Sequence, residues 1–295
     1  MSKDQLAAID QEIRQRPALA GLDLAGMRKA FGDRMISNEG LPLPRTAEGS
    51  LGGVPVLHIG DETSDDVVFH LHGGGYMLGS AAELARLSGA IGARAGARVI
   101  SVDYRRAPEH PFPAALDDAF AAYQALLDSG VPSARIAFAG ESAGGGLVLA
   151  TMLAAREAGL PLPSSAVVLS AWTDLTLASE SLTSRVAVDP FMRKEALVAW
   201  AEAYRAGADP ANPLLSPVFA DLHGLPPLLI QVGSNEVMLD DSVRLAARAA
   251  ADEVEVRLEV TPGASHVFQS FGERIDEANR ALDDLGSFIR AHYPR

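Results

Sequence analysis

The 295-residue chain contains no cysteine. That excludes disulfides, thiolate metal ligands and a cysteine nucleophile, and it suits a reducing compartment. Lysine is scarce: Lys3, Lys29 and Lys194 are the only ones, and none has a serine three residues before it. A Ser-x-x-Lys nucleophile is therefore excluded. Basic residues are outnumbered, 25 Lys and Arg against 38 Asp and Glu, for a net charge of −13. Such a surface is repelled by phosphate backbones and anionic lipid, so neither nucleic acid nor a stable membrane association is expected. No apolar run approaches the roughly 20 residues of a membrane span. The first five residues lack the basic-then-apolar pattern of a secretory signal, which makes a cytoplasmic protein the expectation. HExxH and P-loop patterns are absent as well.

What is present fits a globular enzyme. Hydrophobic residues make up 48% and charged residues 21%, near the average for a folded domain. Strand-like apolar runs alternate with helix-like segments. The strands are expected at 54–59, 66–72, 98–104, 135–140, 166–170, 227–232 and 254–260. The helices are expected at 81–95, 114–127, 143–158, 241–251 and 274–291. Near-continuous apolar strands between helices predict a mostly parallel central sheet covered by helices on both faces. Two stretches break the alternation. Residues 1–45 carry two helix-like segments. Residues 176–215 form an insertion whose helix is expected at 192–204. An insertion between late strands usually lies over their carboxyl ends, where ligands bind. Both stretches are therefore expected to form a helical cap on a core made of 46–175 and 216–295. The alternative for the first 40 residues is packing on the back of the sheet.

Three motifs carry chemistry. The first is Gly140-Glu141-Ser142-Ala143-Gly144, between an apolar strand and a helix start. Alone, G-x-S-x-G arises by chance in about one chain in ten of this length. Between strand and helix it marks a tight turn that lifts the serine hydroxyl into a cleft. The second is His72-Gly73-Gly74-Gly75, directly after a strand. Backbone N–H groups of such a loop, here Gly74 and Gly75 with Ala143 as a third, suit an oxyanion hole. His72 is expected to brace the loop, and His70 to point to the other face of its strand. The third is Gly263-Ala264-Ser265-His266, between the last strand and the last helix. His266 has the loop position and chain order of a general base; His58, His110, His223 and His292 lack that context. For the acid, two positions follow the strand at 227–232: Glu236 in the loop is favoured, with Asp240 second. Asp240 and Asp241 are otherwise explained as helix-start residues.

With these motifs the chain resembles the hormone-sensitive-lipase family of esterases (bacterial family IV), of the α/β-hydrolase fold, over nearly its whole length. The resemblance extends to Asp103-Tyr104-Arg105-Arg106-Ala107-Pro108-Glu109-His110-Pro111, Trp172-Thr173-Asp174, Ser216-Pro217, Leu225-Pro226-Pro227 and Gly233-Ser234-Asn235-Glu236. It implies an α/β-hydrolase fold with a cap, a Ser142–Glu236–His266 triad and an oxyanion hole from Gly74, Gly75 and Ala143. Two positions depart from the common pattern. Glu141 stands where Asp is usual, and Glu236-Val237-Met238 replaces Asp-Pro-Leu. The Asp103–Arg105 stretch is expected to support the loop over the site structurally.

The resemblance implies a serine carboxylesterase acting on small esters with short acyl chains through an acyl-enzyme, with no metal or organic cofactor. A lactonase, deacetylase or amidase with the same machinery is the alternative. A ligand-binding protein on the same scaffold is disfavoured because His266 is present. An interfacial lipase is disfavoured because no basic amphipathic lid is visible. Pairing among relatives implies a homodimer, through the edge strand at 254–260.

Overall fold

The computed structural model describes residues 3–17, 19–61 and 63–295. Among these residues eight strands form one sheet: β1 (Thr46–Leu51), β2 (Val54–Ile59), β3 (Val67–Leu71), β4 (Arg98–Val102), β5 (Ile136–Glu141), β6 (Ser165–Leu169), β7 (Leu228–Gly233) and β8 (Val256–Thr261). Their order is β1-β2-β4-β3-β5-β6-β7-β8. β1 and β2 pair antiparallel, as do β2 and β4; every other pair is parallel. This is the mostly parallel sheet expected from the alternation, in the α/β-hydrolase arrangement that the resemblance implies.

The central strands are buried on both faces, which explains their unbroken apolar sequence. Phe69, Phe138, Val168 and Ile230 point to one side, where they join Leu147 and Leu245 in the larger core. Val68, Ala137, Val167 and Leu229 point to the other, against Ile91, Leu282 and Ile289. The first layer of helices is α4 (Ala114–Asp128), α5 (Ala143–Glu157) and α8 (Leu239–Ala251). The second is α3 (Ala85–Ala95) and α9 (Asp276–His292), which pack on each other as well as on the sheet. Only β1 escaped the sequence pattern. Its TAEGSL is mostly exposed, because it is an outer strand held by a tight hairpin through Gly52-Gly53. With no face to bury, it has no apolar alternation to read.

Among the described residues four helices stand outside the alternation: α1 (Lys3–Gln15), α2 (Leu24–Ile36), α6 (Ser181–Ser184) and α7 (Lys194–Arg205). α1 buries Leu6, Ile9 and Ile13 against Ala264, Phe268, Phe271 and Ile275, the stretch that follows β8. Arg14 donates to the carbonyl of Val188 at 2.9 Å. From α2, Arg28 donates to the carbonyls of Met77 and Ala107 and forms a two-pronged pair with Glu109 at 2.7 Å. α1 and α2 thus lie against loops at the carboxyl ends of the parallel strands. No helix among the described residues is long and apolar enough to cross a membrane.

Candidate active site

Ser142 sits between β5 and α5 with φ 55° and ψ −124°, a conformation that non-glycine residues avoid. The turn is possible because its flanks are glycine. A Cβ on Gly144 would fall 2.0 Å from the carbonyl oxygen of Leu71, and one on Gly140 would fall 2.6 Å from that of Gly144. The carbonyl of Ser142 accepts from the Trp172 amide at 2.9 Å, and its own amide donates to the Leu169 carbonyl at 2.9 Å. The serine is thereby fixed at the carboxyl end of β5 and tied to the end of β6.

His266 follows β8 and is 7% exposed. Its Nδ1 lies 2.7 Å from Oε2 of Glu236, which follows β7 and is fully buried. The other oxygen of Glu236 accepts from the Gly233 amide at 2.6 Å and from the Ser170 hydroxyl at 2.8 Å. Ser170 Oγ in turn accepts from the Val267 amide at 3.0 Å. One hydroxyl therefore links the carboxylate to the residue after the histidine. Burial opposes a positive charge on His266. The Glu236 hydrogen bond and the charges of Glu236, Asp189 and Glu141 outweigh it, and the imidazole is held above its ordinary value.

Asp240 and Asp241 do not cap α8: Met238 is its N-cap and makes no side-chain cap bond. Asp240 Oδ2 instead accepts from the Ser181 amide at 2.7 Å. Asp241 accepts from the Thr173 and Asp174 amides at 2.9 and 3.0 Å and from the Ser179 hydroxyl at 2.7 Å. Helix-start reasoning missed this because the acceptors' partners are distant in sequence. The two carboxylates bolt the loops after β6 to the start of α8.

The loop after β3 is braced from several sides. Tyr104 stacks on His72, with ring centroids 4.1 Å apart, and donates to the His72 carbonyl at 2.6 Å. His72 Nδ1 lies 2.9 Å from the Gly73 carbonyl oxygen, and burial pushes the imidazole down to about 4, which keeps it neutral. Asp103 Oδ1 accepts from the Ala81 amide, and Arg106 donates to the Gly79 carbonyl. Gly74 and Gly75 both have positive φ, 123° and 63°. His70 points into the protein, between Ser101 and Glu141.

Three side chains of the 176–215 stretch reach these groups, and sequence patterns did not single them out. Trp200 from α7 lies on Gly75: a Cβ there would sit 2.4 Å from the indole Cε3. Tyr204, one turn on, stacks on Tyr76 with centroids 3.7 Å apart. Phe191 meets the His266 ring edge-on, with centroids 6.4 Å apart. Just before it, Asp189 is fully buried; Oδ1 accepts from the Phe191 and Met192 amides and Oδ2 from Val237. The only cue for Asp189 was an acid before a proline inside an insertion.

Two other features lie apart from these residues. A groove of about 1060 Å³ runs between the β1–β2 side of the sheet and α3, lined by Pro44, Ile59, Asp61, Ala90 and Arg94. Asp221, His223 and Asp252 bring three potential metal-ligand atoms within 4.8 Å of one another. There His223 already pairs with Asp221 at 2.7 Å, and Asp252 with Arg248 at 2.9 Å.

A family model described as an α/β hydrolase fold matches residues 68–270. An acetyl-hydrolase of Streptomyces hygroscopicus is 44% identical over 255 residues, which cover 83% of this chain and 85% of that protein. An esterase of Acinetobacter venetianus is 40% identical over 227 residues, covering 77% and 75%. The crystal structure of an esterase from the bacterial hormone-sensitive lipase family superposes with a TM-score of 0.94 at 39% identity, over 99% of each chain.

Proposed function

We propose that this chain, which belongs to the hormone-sensitive-lipase family of α/β-hydrolase esterases and is a carboxylic ester hydrolase, works as a serine carboxylesterase on short-chain acyl esters. The observation that carries the proposal is the 2.7 Å contact between Glu236 and His266. It joins the loops after two neighbouring strands, at the same carboxyl end of the parallel strands as the strained turn of Ser142.

The chemistry follows from that arrangement. Glu236 accepts a hydrogen bond from Nδ1–H of His266, a tautomer that leaves Nε2 as the base. Nε2 takes the Ser142 proton as Oγ attacks the ester carbonyl. The tetrahedral oxygen is met by the N–H groups of Gly74, Gly75 and Ala143. The alcohol leaves with the proton from His266, and an acyl group remains on Ser142. Water, deprotonated by the same imidazole, then releases the acid. The 1–45 and 176–215 stretches serve as a cap over this site. Trp200 on Gly75 and Phe191 beside His266 narrow it from above, which favours small acyl groups. The naming of one relative as an acetyl-hydrolase makes acetyl esters the first substrates to try.

The test is hydrolysis of p-nitrophenyl esters from acetate to palmitate, by the protein and by Ser142→Ala. A maximum at the short chains, abolished by Ser142→Ala, is expected. Activity that survives the substitution would refute the serine mechanism, and a maximum at palmitate would refute the chain-length assignment.

A further inference from the structure

Beneath the oxyanion loop lies a second hydroxyl, imidazole and carboxylate. Ser101 Oγ is 3.0 Å from His70 Nδ1, and His70 Nε2 is 2.9 Å from Oε2 of Glu141. The three stand on neighbouring strands β4, β3 and β5, where His70 and Ser101 are directly paired. Ser101 and His70 are fully buried and Glu141 is 2% exposed, so no substrate reaches them. The set therefore has the composition of a catalytic triad and no access to use it. Its output is the remaining oxygen of Glu141. Oε1 accepts the Gly73 amide at 2.5 Å, one residue before Gly74.

We propose that Glu141, backed by His70 and Ser101, is a positioning residue that aims the oxyanion loop through the Gly73 amide. This rests on the reading of Gly74 and Gly75 as oxyanion donors. Glu141 is the last residue of β5 and directly precedes Ser142. Its side chain returns across Gly73, where a Cβ would lie 3.2 Å from the Glu141 Cγ. One residue thus connects the nucleophile's backbone to the donor loop's backbone, and fixes the spacing between the attacking oxygen and the N–H groups. The other two members fix Glu141. With the carboxylate ionised, His70 donates from Nε2 and accepts the Ser101 hydroxyl at Nδ1, which satisfies every polar atom in the line.

The sign of the charge makes the role testable. A carboxylate near a developing oxyanion opposes it electrostatically. Were charge its main influence, Glu141→Gln would raise kcat. If its role is to aim the loop, Glu141→Gln lowers kcat, because a buried amide cannot reproduce both contacts without reversing the His70–Ser101 pair.

The experiment compares wild type, Glu141→Gln and Ser101→Ala by kcat and KM on p-nitrophenyl acetate and by inhibition with a trifluoromethyl ketone. That ketone forms a tetrahedral oxyanion on a serine, whereas KM reports substrate binding. Circular dichroism verifies folding. For Glu141→Gln, kcat is expected to fall about 10- to 100-fold, short of the loss of a whole donor. KM should stay within about twofold, and ketone affinity should fall in parallel with kcat/KM. Ser101→Ala, which removes one buried hydroxyl, should show the same pattern at about three- to tenfold. It decides the matter if Glu141→Gln does not fold. Folded variants with a lower melting temperature but unchanged kcat and ketone affinity would overturn the proposal, as would a rise in kcat. A fluorophosphonate separates this failure from that of the serine mechanism. If wild type is not labelled at Ser142, the underlying mechanism fails. If it is labelled and Glu141→Gln is fully active, only the positioning role fails.

Discussion

The Val237 amide donates to Asp189 Oδ2 at 2.8 Å, one residue beyond Glu236. This bond ties the Glu236 loop to the 176–215 stretch and places a second carboxylate near His266, whose charge helps to hold that imidazole up. Burial raises the Asp189 carboxyl itself, against hydrogen bonds from the Met192, Val237 and Phe191 amides.

The sign of the resulting pH dependence is fixed. His266 acts as a base only when neutral, so the acid limb of kcat/KM is expected above the ordinary histidine value of about 6.5. Asp189→Asn removes one of the charges that hold the imidazole up, so the limb should move to lower pH. A pH profile of both proteins on p-nitrophenyl acetate checks this; a limb that moves up or stays fixed contradicts it.

Glu236→Gln should lower kcat by about 10³- to 10⁴-fold, because an amide no longer holds the imidazole in the needed tautomer. Asp240→Asn should leave kcat within about threefold and weaken the bond to the Ser181 amide, for a loss of about 1 kcal/mol in a urea melt. The reverse outcome, an inactive Asp240→Asn and an active Glu236→Gln, would move the acid to Asp240.

Gly75→Ala faces two obstacles, a φ of 63° and the Trp200 indole. It should lower kcat more than it raises KM. Trp200→Ala in the same chain removes the collision but not the backbone strain, so kcat should recover in part. A double-mutant cycle measures the coupling; additive effects would mean that the indole does not press on the loop.

Asp241 is fully enclosed, and burial pushes its carboxyl up to about 7. The folded protein therefore holds this proton more tightly than the unfolded chain, whose value is near 3.8. The stability from that proton is complete below about 4 and is lost as the pH rises through about 7. Asp241→Asn mimics the protonated acid: its oxygen accepts the Thr173 and Asp174 amides and its NH₂ faces the Ser179 hydroxyl. Melting temperatures taken between pH 4 and 8 should fall less steeply for the variant; parallel curves would show that the group does not titrate there.

Most of the fold was legible because parallel strands such as β3 and β5 are buried on both faces and print that burial as continuous apolar runs. β1 was not, since an exposed outer strand leaves no such trace. At the candidate site, the tight turn at Ser142 and the loop positions of His266 and Glu236 were legible from turn chemistry and chain order. Ser170, Asp189 and Trp200 were not. Each acts across more than 30 residues of chain, on Glu236, Val237 and Gly75, and no local spacing encodes such a contact. Asp241 was misread for the same reason: a carboxylate in the first turn of α8 has an adequate local explanation, while its partners lie 60 to 70 residues earlier.

The backbone of Ser142 is held at φ 55° and ψ −124° by the fold around it. A non-glycine residue there gives up about 1–3 kcal/mol, comparable to a large part of the margin that keeps a domain folded. Glycine at 142 would relax that turn and, on the mechanism proposed above, remove the nucleophile at the same time. Selection of this chain for heat resistance alone, with no demand for turnover, would thus favour losing the very residue on which the proposed mechanism turns. Any search for hardier versions has to count product as well as survivors.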